Sequence, residues 1–283
     1  MIVDAHHHVW DPGTRAHAWL DGLPALRRRF SPADFIQVAA DHGVSASVLV
    51  QVLASAAETE EFLALAATPG MIAGVVGWAD LTAPDVASEI ARLRQLPGGS
   101  RLAGIRHLVE DEPDPGWLDR PGVRRGIRSV GEAGLVYDLL VRPAQLPAAL
   151  RVASDLGDVR FVLDHGAKPD IASGRLEPWS SLVTGLAHRP NVTCKLSGLV
   201  TEAAPGWTVP QIVPYAVRLL DCFGPGRLMF GSDWPVCTLA GSYGDVLAVA
   251  RAALDGHLSA AELDAVFAAN AIATYRLRLV RAP

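Results

Sequence analysis

Three consecutive histidines follow a short apolar start in Ile2-Val3-Asp4-Ala5-His6-His7-His8-Val9-Trp10. On a strand, alternate side chains share a face, so His6 and His8 point one way and His7 the other. Two imidazoles so placed can clamp a metal ion or move protons. The run fits a strand pattern and is neither terminal nor six residues long, which sets it apart from an affinity tag. Farther on, His165 ends an apolar run in Leu163-Asp164-His165-Gly166-Ala167-Lys168-Pro169, and Asp233 ends another in Phe230-Gly231-Ser232-Asp233-Trp234-Pro235. Three imidazole nitrogens and one carboxylate oxygen (His6, His8, His165, Asp233) suit a single divalent ion, zinc above all, with a position left for water. Such an ion brings bound water towards a pKa of ~7 and polarises a carbonyl. A metal-independent route uses the same residues, Asp233 taking a proton from water while cationic groups steady the oxyanion.

Residues 6, 165 and 233 meet only in a fold that gathers distant strand ends. Short β-branched runs fall near 2–8, 46–52, 73–79, 102–107, 135–141, 160–165, 191–196 and 227–232. Ala- and Leu-rich helical stretches alternate with them at 56–67, 84–95, 121–133, 144–156, 178–188, 209–223 and 243–255. A last helix over 259–270 opens on the capping sequence Ser259-Ala260-Ala261-Glu262. Most strands are near-continuous apolar runs, as expected of a parallel sheet covered on both faces. The pattern predicts an α/β fold, a (β/α)8 barrel of one domain over 1–283. No GxGxxG follows the first strand, which argues against a doubly wound dinucleotide-binding sheet.

In such a barrel the site lies at the C-terminal strand ends. That rim carries Gln51, Trp78, Arg106, His107, Asp138, Lys168, Lys195 and Trp234 besides the four residues above. Of the 25 basic residues only Lys168 and Lys195 are lysines, and both fall there. Tryptophans at strand ends offer flat faces to a sugar ring. The long stretch 9–30 after the first strand reads as a functional loop. His7 is expected to face the helices and make a structural hydrogen bond.

Half of the 283 residues are hydrophobic and 19% are charged, enough for a large core. A net charge of −5 disfavours a nucleic-acid surface. No run of about eighteen apolar residues suggests a membrane span, and the start lacks a secretory pattern, so a cytoplasmic protein is expected. Cys194, Cys222 and Cys237 lack CxxC spacing and read as reduced thiols. Association into a homo-oligomer stays open.

Together these stretches resemble the amidohydrolase superfamily, in its amidohydrolase-2 branch of metal-dependent lactonases. The resemblance rests on Asp4-Ala5-His6-His7-His8-Val9-Trp10-Asp11-Pro12, Gly104-Ile105-Arg106-His107 with Asp111-Glu112-Pro113, the segments around His165 and Asp233, and Lys195-Leu196-Ser197-Gly198. It implies a (β/α)8 barrel that hydrolyses a lactone, His6 and His8 being the first-strand pair and Asp233 the base for water. Binuclear relatives carry a bridging lysine or glutamate on strand four and a histidine on strand five. Here Arg106-His107 and Asp138 stand instead, so one ion or none is implied.

The expected substrate is a sugar lactone such as a fucono- or rhamnono-lactone. His107 or Lys168 is the expected proton donor to the leaving oxygen, and Gln51, Trp78, Arg106, Lys168, Lys195 and Trp234 are expected to hold the substrate. Alternatives are a muconolactone or pyrone-dicarboxylate lactonase, for which Arg142 would be a carboxylate partner. A metal-dependent non-oxidative decarboxylase and a catalytically dead ligand-binding barrel complete the set.

Overall fold

A computed structural model describes residues 1–279. Among these residues, eight parallel strands run β1 (Ile2–His7), β2 (Val44–Val50), β3 (Ile72–Gly77), β4 (Leu102–His107), β5 (Val136–Leu139), β6 (Arg160–Leu163), β7 (Val192–Leu196) and β8 (Leu228–Phe230). They pair in sequence order from β1 to β8. Helices cover them outside: α1 (Pro32–Ala40), α2 (Ala56–Ala67), α3 (Val86–Gln95), α4 (Pro121–Glu132), α5 (Leu146–Asp155), α6 (Trp179–Ala187), α7 (Val209–Phe223) and α8 (Tyr243–Leu254). The architecture is the expected (β/α)8 barrel. Helix α1 was not foreseen; Ser31 opens it through a capping box with Asp34, and Pro32 occupies its first turn.

The barrel closes between β8 and β1 by a seam instead of a full ladder. His8 N donates to Trp234 O at 2.7 Å and Asp233 N to His6 O at 2.8 Å. Beneath them the buried Asp4 carboxylate accepts from His6 N (3.0 Å), Ser232 N (2.9 Å) and the Tyr243 hydroxyl (3.0 Å). One side chain thus ties β1 to the loop after β8 and to α8. Burial lifts that carboxyl to about 6 against the pull of those bonds.

Val3, Ala5, Val48, Val76, Val136 and Val162 fill the barrel interior. Small residues at the strand starts, Ala46, Ala73 and Ala103, leave room for Tyr275 and Leu277, which pack into the same cluster. The terminal helix that brings them runs from Ala260–Asp264 through a π turn (Ala265–Ala269) to Asn270–Tyr275. It begins at the predicted Ser259–Glu262 capping box and runs past its expected end at 270. No helix among the described residues is long and apolar enough to cross a membrane. The three cysteines are free.

Candidate active site

A register shift between Asp4 and His7 re-aims the end of β1. His6 and His8 then face the barrel mouth, while His7 stacks on Phe35 of α1 with ring centroids 3.7 Å apart. Neither ring nitrogen of His7 finds a hydrogen-bond partner. The expected structural hydrogen bond is therefore absent; aromatic stacking holds this ring.

His6, His8, His165 and Asp233 do converge. His6 Nε2 lies 3.1 Å from His8 Nε2. Asp233 Oδ1 lies 3.4 Å from His8 Nε2, 3.7 Å from His6 Nε2 and 3.8 Å from His165 Nε2. Zn–N bonds of about 2.05 Å in a tetrahedron place neighbouring ligands about 3.3 Å apart, so these four side chains fit a divalent ion. The hydrogen bonds behind two of the rings agree, while His6 Nδ1 faces the Lys195 ammonium at 3.1 Å. His8 Nδ1 donates to Val50 O at 2.8 Å, which leaves a lone pair on Nε2. His165 Nδ1 is held by Ser197 Oγ at 2.8 Å. His6, His165 and Asp233, all buried, offer ligand atoms within 4.8 Å of one another. Arg106 Nη1 also stands 3.3 Å from His6 Nε2, so an ion and this guanidinium would compete for that nitrogen.

Local backbone strain holds the cluster in place. His165, Lys168 and Asp233 adopt φ values of 53°, 50° and 57°, in a region costly for residues with a Cβ. Gly198 (φ 62°) makes room for His165; a Cβ there would lie 2.6 Å from its Nδ1. Burial lowers the His165 imidazole to about 4 despite the attraction of Asp233, and keeps His6 well below its usual range. Both rings are then neutral, the form that binds metal. For Asp233 burial pulls upward, but His165 and His8 outweigh it and the carboxyl stays below its usual value.

Under the cluster lies a dry layer of charge. Lys195 Nζ contacts Asp138 Oδ2 at 2.7 Å, Asp164 Oδ1 at 2.9 Å and His6 Nδ1 at 3.1 Å. Arg106 donates to Asp164 Oδ2 at 3.0 Å and to the Gln51 carbonyl. From the far end of the barrel Tyr275 donates its hydroxyl to Asp138 at 2.7 Å.

Several residues expected to touch substrate are placed away from the open cavity. Lys195 is fully buried beneath His6, with all its partners inside the protein. Gln51, also fully buried, donates to the Arg106 carbonyl at 3.2 Å. Trp234 packs edge-on to Phe30 and tilted against Phe35, away from the mouth. Trp78 donates its indole N–H to His107 Nδ1 at 3.1 Å. That bond leaves the His107 proton on Nε2, which faces Glu112 at 2.8 Å while the ring stacks on Trp117. Both His107 nitrogens thus have partners within the protein.

Above the cluster opens a cavity of about 570 Å3, within the roughly 300–1,000 Å3 usual for small-molecule sites. His8, His165, Asp233, Arg106 and Lys168 reach it as expected. Its walls differ. Trp10, Trp19, Leu23, Val236 and Leu239 make one wall apolar, three of them from the 9–30 loop. Glu110, Asp111, Arg142 and Lys168 give it a polar, charged part, joined by the ion pairs of Glu110 with Lys168 and Arg142. Trp19, Leu23 and Glu110 were missed in the sequence, because loop residues carry no periodic signal of direction.

Fold and site define a (β/α)8-barrel hydrolase with a histidine–aspartate centre at its mouth. The chain belongs to the amidohydrolase family, whose sequence profile matches residues 3–277. An L-fucono-1,5-lactonase of Burkholderia ambifaria is 40% identical over 279 residues, covering 97% of this chain and 95% of the relative. Another L-fucono-1,5-lactonase, from Burkholderia multivorans, is 37% identical over 291 residues, with 98% and 96% covered. The crystal structure of a Burkholderia multivorans amidohydrolase with bound zinc superposes with a TM-score of 0.93 at 36% identity, covering 98% of this chain and 100% of that one.

Proposed function

We propose that this enzyme opens a sugar 1,5-lactone of the L-fucono type, with Asp233 as base for the attacking water. One observation carries the reading: three imidazoles and Asp233 meet at the floor of a cavity, in a chain similar along its whole length to L-fucono-1,5-lactonases. Asp233 is ionised at neutral pH and takes the water proton as oxygen bonds to the lactone carbonyl carbon. Arg106 contributes positive charge where the oxyanion forms. The tetrahedral centre then collapses, the bond to the ring oxygen breaks, and Asp233 returns the proton to that oxygen. With His107 engaged elsewhere, Asp233 is the group placed for both transfers.

His6, His8, His165 and Asp233 would hold a zinc ion. When bound, it would supply Lewis acidity and a more acidic water. The zinc-bound relative supports that choice of metal. A neutral polyol lactone fits better than a dicarboxylate, because the cavity's cations are already paired: Arg106 with Asp164, Lys168 with Glu110, and Arg142 with Glu110 and Glu202. A dianion would need unpaired arginines.

A pH-indicator assay on a panel of aldono-1,5- and 1,4-lactones tests the proposal, with elemental analysis before and after chelation. Asp233→Asn should lower kcat by about 10²–10⁴-fold, the usual worth of a positioned general base. Failure of the wild type to open any lactone overturns the reading, and CO₂ release from an aromatic acid would replace it with a decarboxylase.

A further inference from the structure

The polar wall of the cavity holds a carboxylate whose two oxygens are used unequally. Glu110 sits in the short 3₁₀ turn Val109–Asp111 just after β4. Its Oε1 accepts from Lys168 Nζ at 2.7 Å. Its Oε2 is buried and accepts no hydrogen bond, although Arg142 Nε approaches it at 3.4 Å. The side chain is only 12% exposed, so solvent has little access to it. A buried charged oxygen without a donor is costly unless a ligand supplies one.

Its neighbours narrow the kind of ligand. Lys168 fixes one oxygen and, carrying three N–H groups, keeps donors to spare. Arg142 is also tied to Glu202, at 3.4 Å. Asp111 lines the same wall, and its carboxyl is raised by burial and by the nearby Glu110 charge. A second anion against this wall would meet two carboxylates. An apolar group would leave Glu110 Oε2 unpartnered. A hydroxyl satisfies both conditions, since it donates to Glu110 and accepts from Lys168. Of the apolar lining, Leu23 offers no such bonds and Trp10 spends its indole N–H on Leu26 O, while the unpartnered Trp19 Nε1 can donate but not accept.

We propose that Glu110, oriented by Lys168 and Arg142, is the specificity residue that reads ring hydroxyls of the lactone by accepting their protons on Oε2. The proposal rests on the lactonase reading above and adds a division of labour. The histidine–aspartate floor acts on the carbonyl, and Glu110 decides which lactones are held there. A site built to bond a hydroxyl discriminates strongly against analogues that lack it.

The test compares an aldono-1,5-lactone with δ-valerolactone, the same ring without hydroxyls, on wild type and Glu110→Gln. For the hydroxylated lactone the variant should lose about 10–100-fold in kcat/KM, mostly through KM, the scale of a hydrogen bond to a charged group. On δ-valerolactone it should stay within about threefold, and its melting temperature should match the wild type. Lys168→Met should show the same selectivity in weaker form, because the carboxylate survives but loses its orientation. Equal losses on both lactones, or no loss on either, would overturn the role of Glu110. A wild type that opens neither lactone would instead bring down the functional reading itself, and this proposal with it.

Discussion

The chain has two lysines, and they stand in opposite settings. Lys195 is fully buried, with carboxylates at 2.7 and 2.9 Å and an imidazole at 3.1 Å. Lys168 is 18% exposed, pairs with Glu110 at 2.7 Å and faces a cavity. The closest ion-pair distance is the same, yet the consequences differ. In the dry layer the ammonium is enclosed by two carboxylates and the His6 ring, out of reach of the cavity. At the rim the ammonium has one bonded carboxylate, and its spare donors face the cavity. Partner saturation, more than residue type, separates a positioning residue from a binding one.

The largest expected effect comes from removing the buried charge. Lys195→Met strands Asp138 and Asp164 in the barrel, leaving Tyr275 to Asp138 and Arg106 and the His6 ring to Asp164. Breaking a buried ion pair from one side costs about 3–5 kcal/mol. Lys168→Met leaves Glu110 with Arg142 as a remaining cation and should cost less than Lys195→Met. Urea denaturation of both variants at pH 7 measures this directly. Equal losses would erase the distinction between the two lysines.

Much of the active floor could be read before any coordinates, and the reasons are physical. Metal-binding side chains at strand ends are few, and a parallel barrel brings strand ends to one rim, so His6, His8, His165 and Asp233 stood out. Depth along the barrel axis is not encoded in a strand pattern, which is why Lys195 was expected at the mouth and lies beneath it. His107 illustrates a second limit. Neighbouring residues on a strand face opposite ways; Arg106 takes the inward direction and His107 turns towards Trp78, Glu112 and Trp117. Helix α1 is short and mixed in polarity, leaving its Ser31 cap as the one local signal. Glu110 lies where turn geometry, invisible to periodicity, sets direction.

A buried carboxylate without a bonded cation extends the comparison. Glu58 on α2 accepts from Val52 N at 2.8 Å and Leu53 N at 2.9 Å, holding the strand-end segment that lines the cavity. Burial raises its carboxyl from 4.5 to about 7, against those two bonds. Since the folded state holds the proton more tightly, the contribution of Glu58 is fully present below pH 4.5 and is lost as pH rises to about 7. The difference in unfolding free energy between wild type and Glu58→Gln should therefore fall by roughly 3 kcal/mol across that window and flatten above it. Asp4 and Asp138, each raised to about 6, add slope of the same sign to both proteins and cancel in the difference. A difference independent of pH would mean that Glu58 stays ionised throughout, sustained by backbone amides alone.

The smallest effect on turnover is expected at His107, where saturation and location at the rim point in opposite directions. Judged by its strand end alone, it is the natural proton donor to a leaving ring oxygen. Judged by its partners it is spent, with Nδ1 accepting from Trp78, Nε2 committed to Glu112 and the ring stacked at 4.3 Å on Trp117. His107→Phe keeps the stack and deletes both hydrogen bonds. Stability should fall by about 1 kcal/mol for each bond lost, while kcat stays within about threefold of the wild type. A general acid removed from a positioned site costs about 10²–10⁴-fold, so the two readings are far apart in one kinetic measurement. Should kcat collapse while the unfolding midpoint barely moves, His107 must leave Glu112 during turnover to protonate the ring oxygen, and Asp233 would then act as base alone.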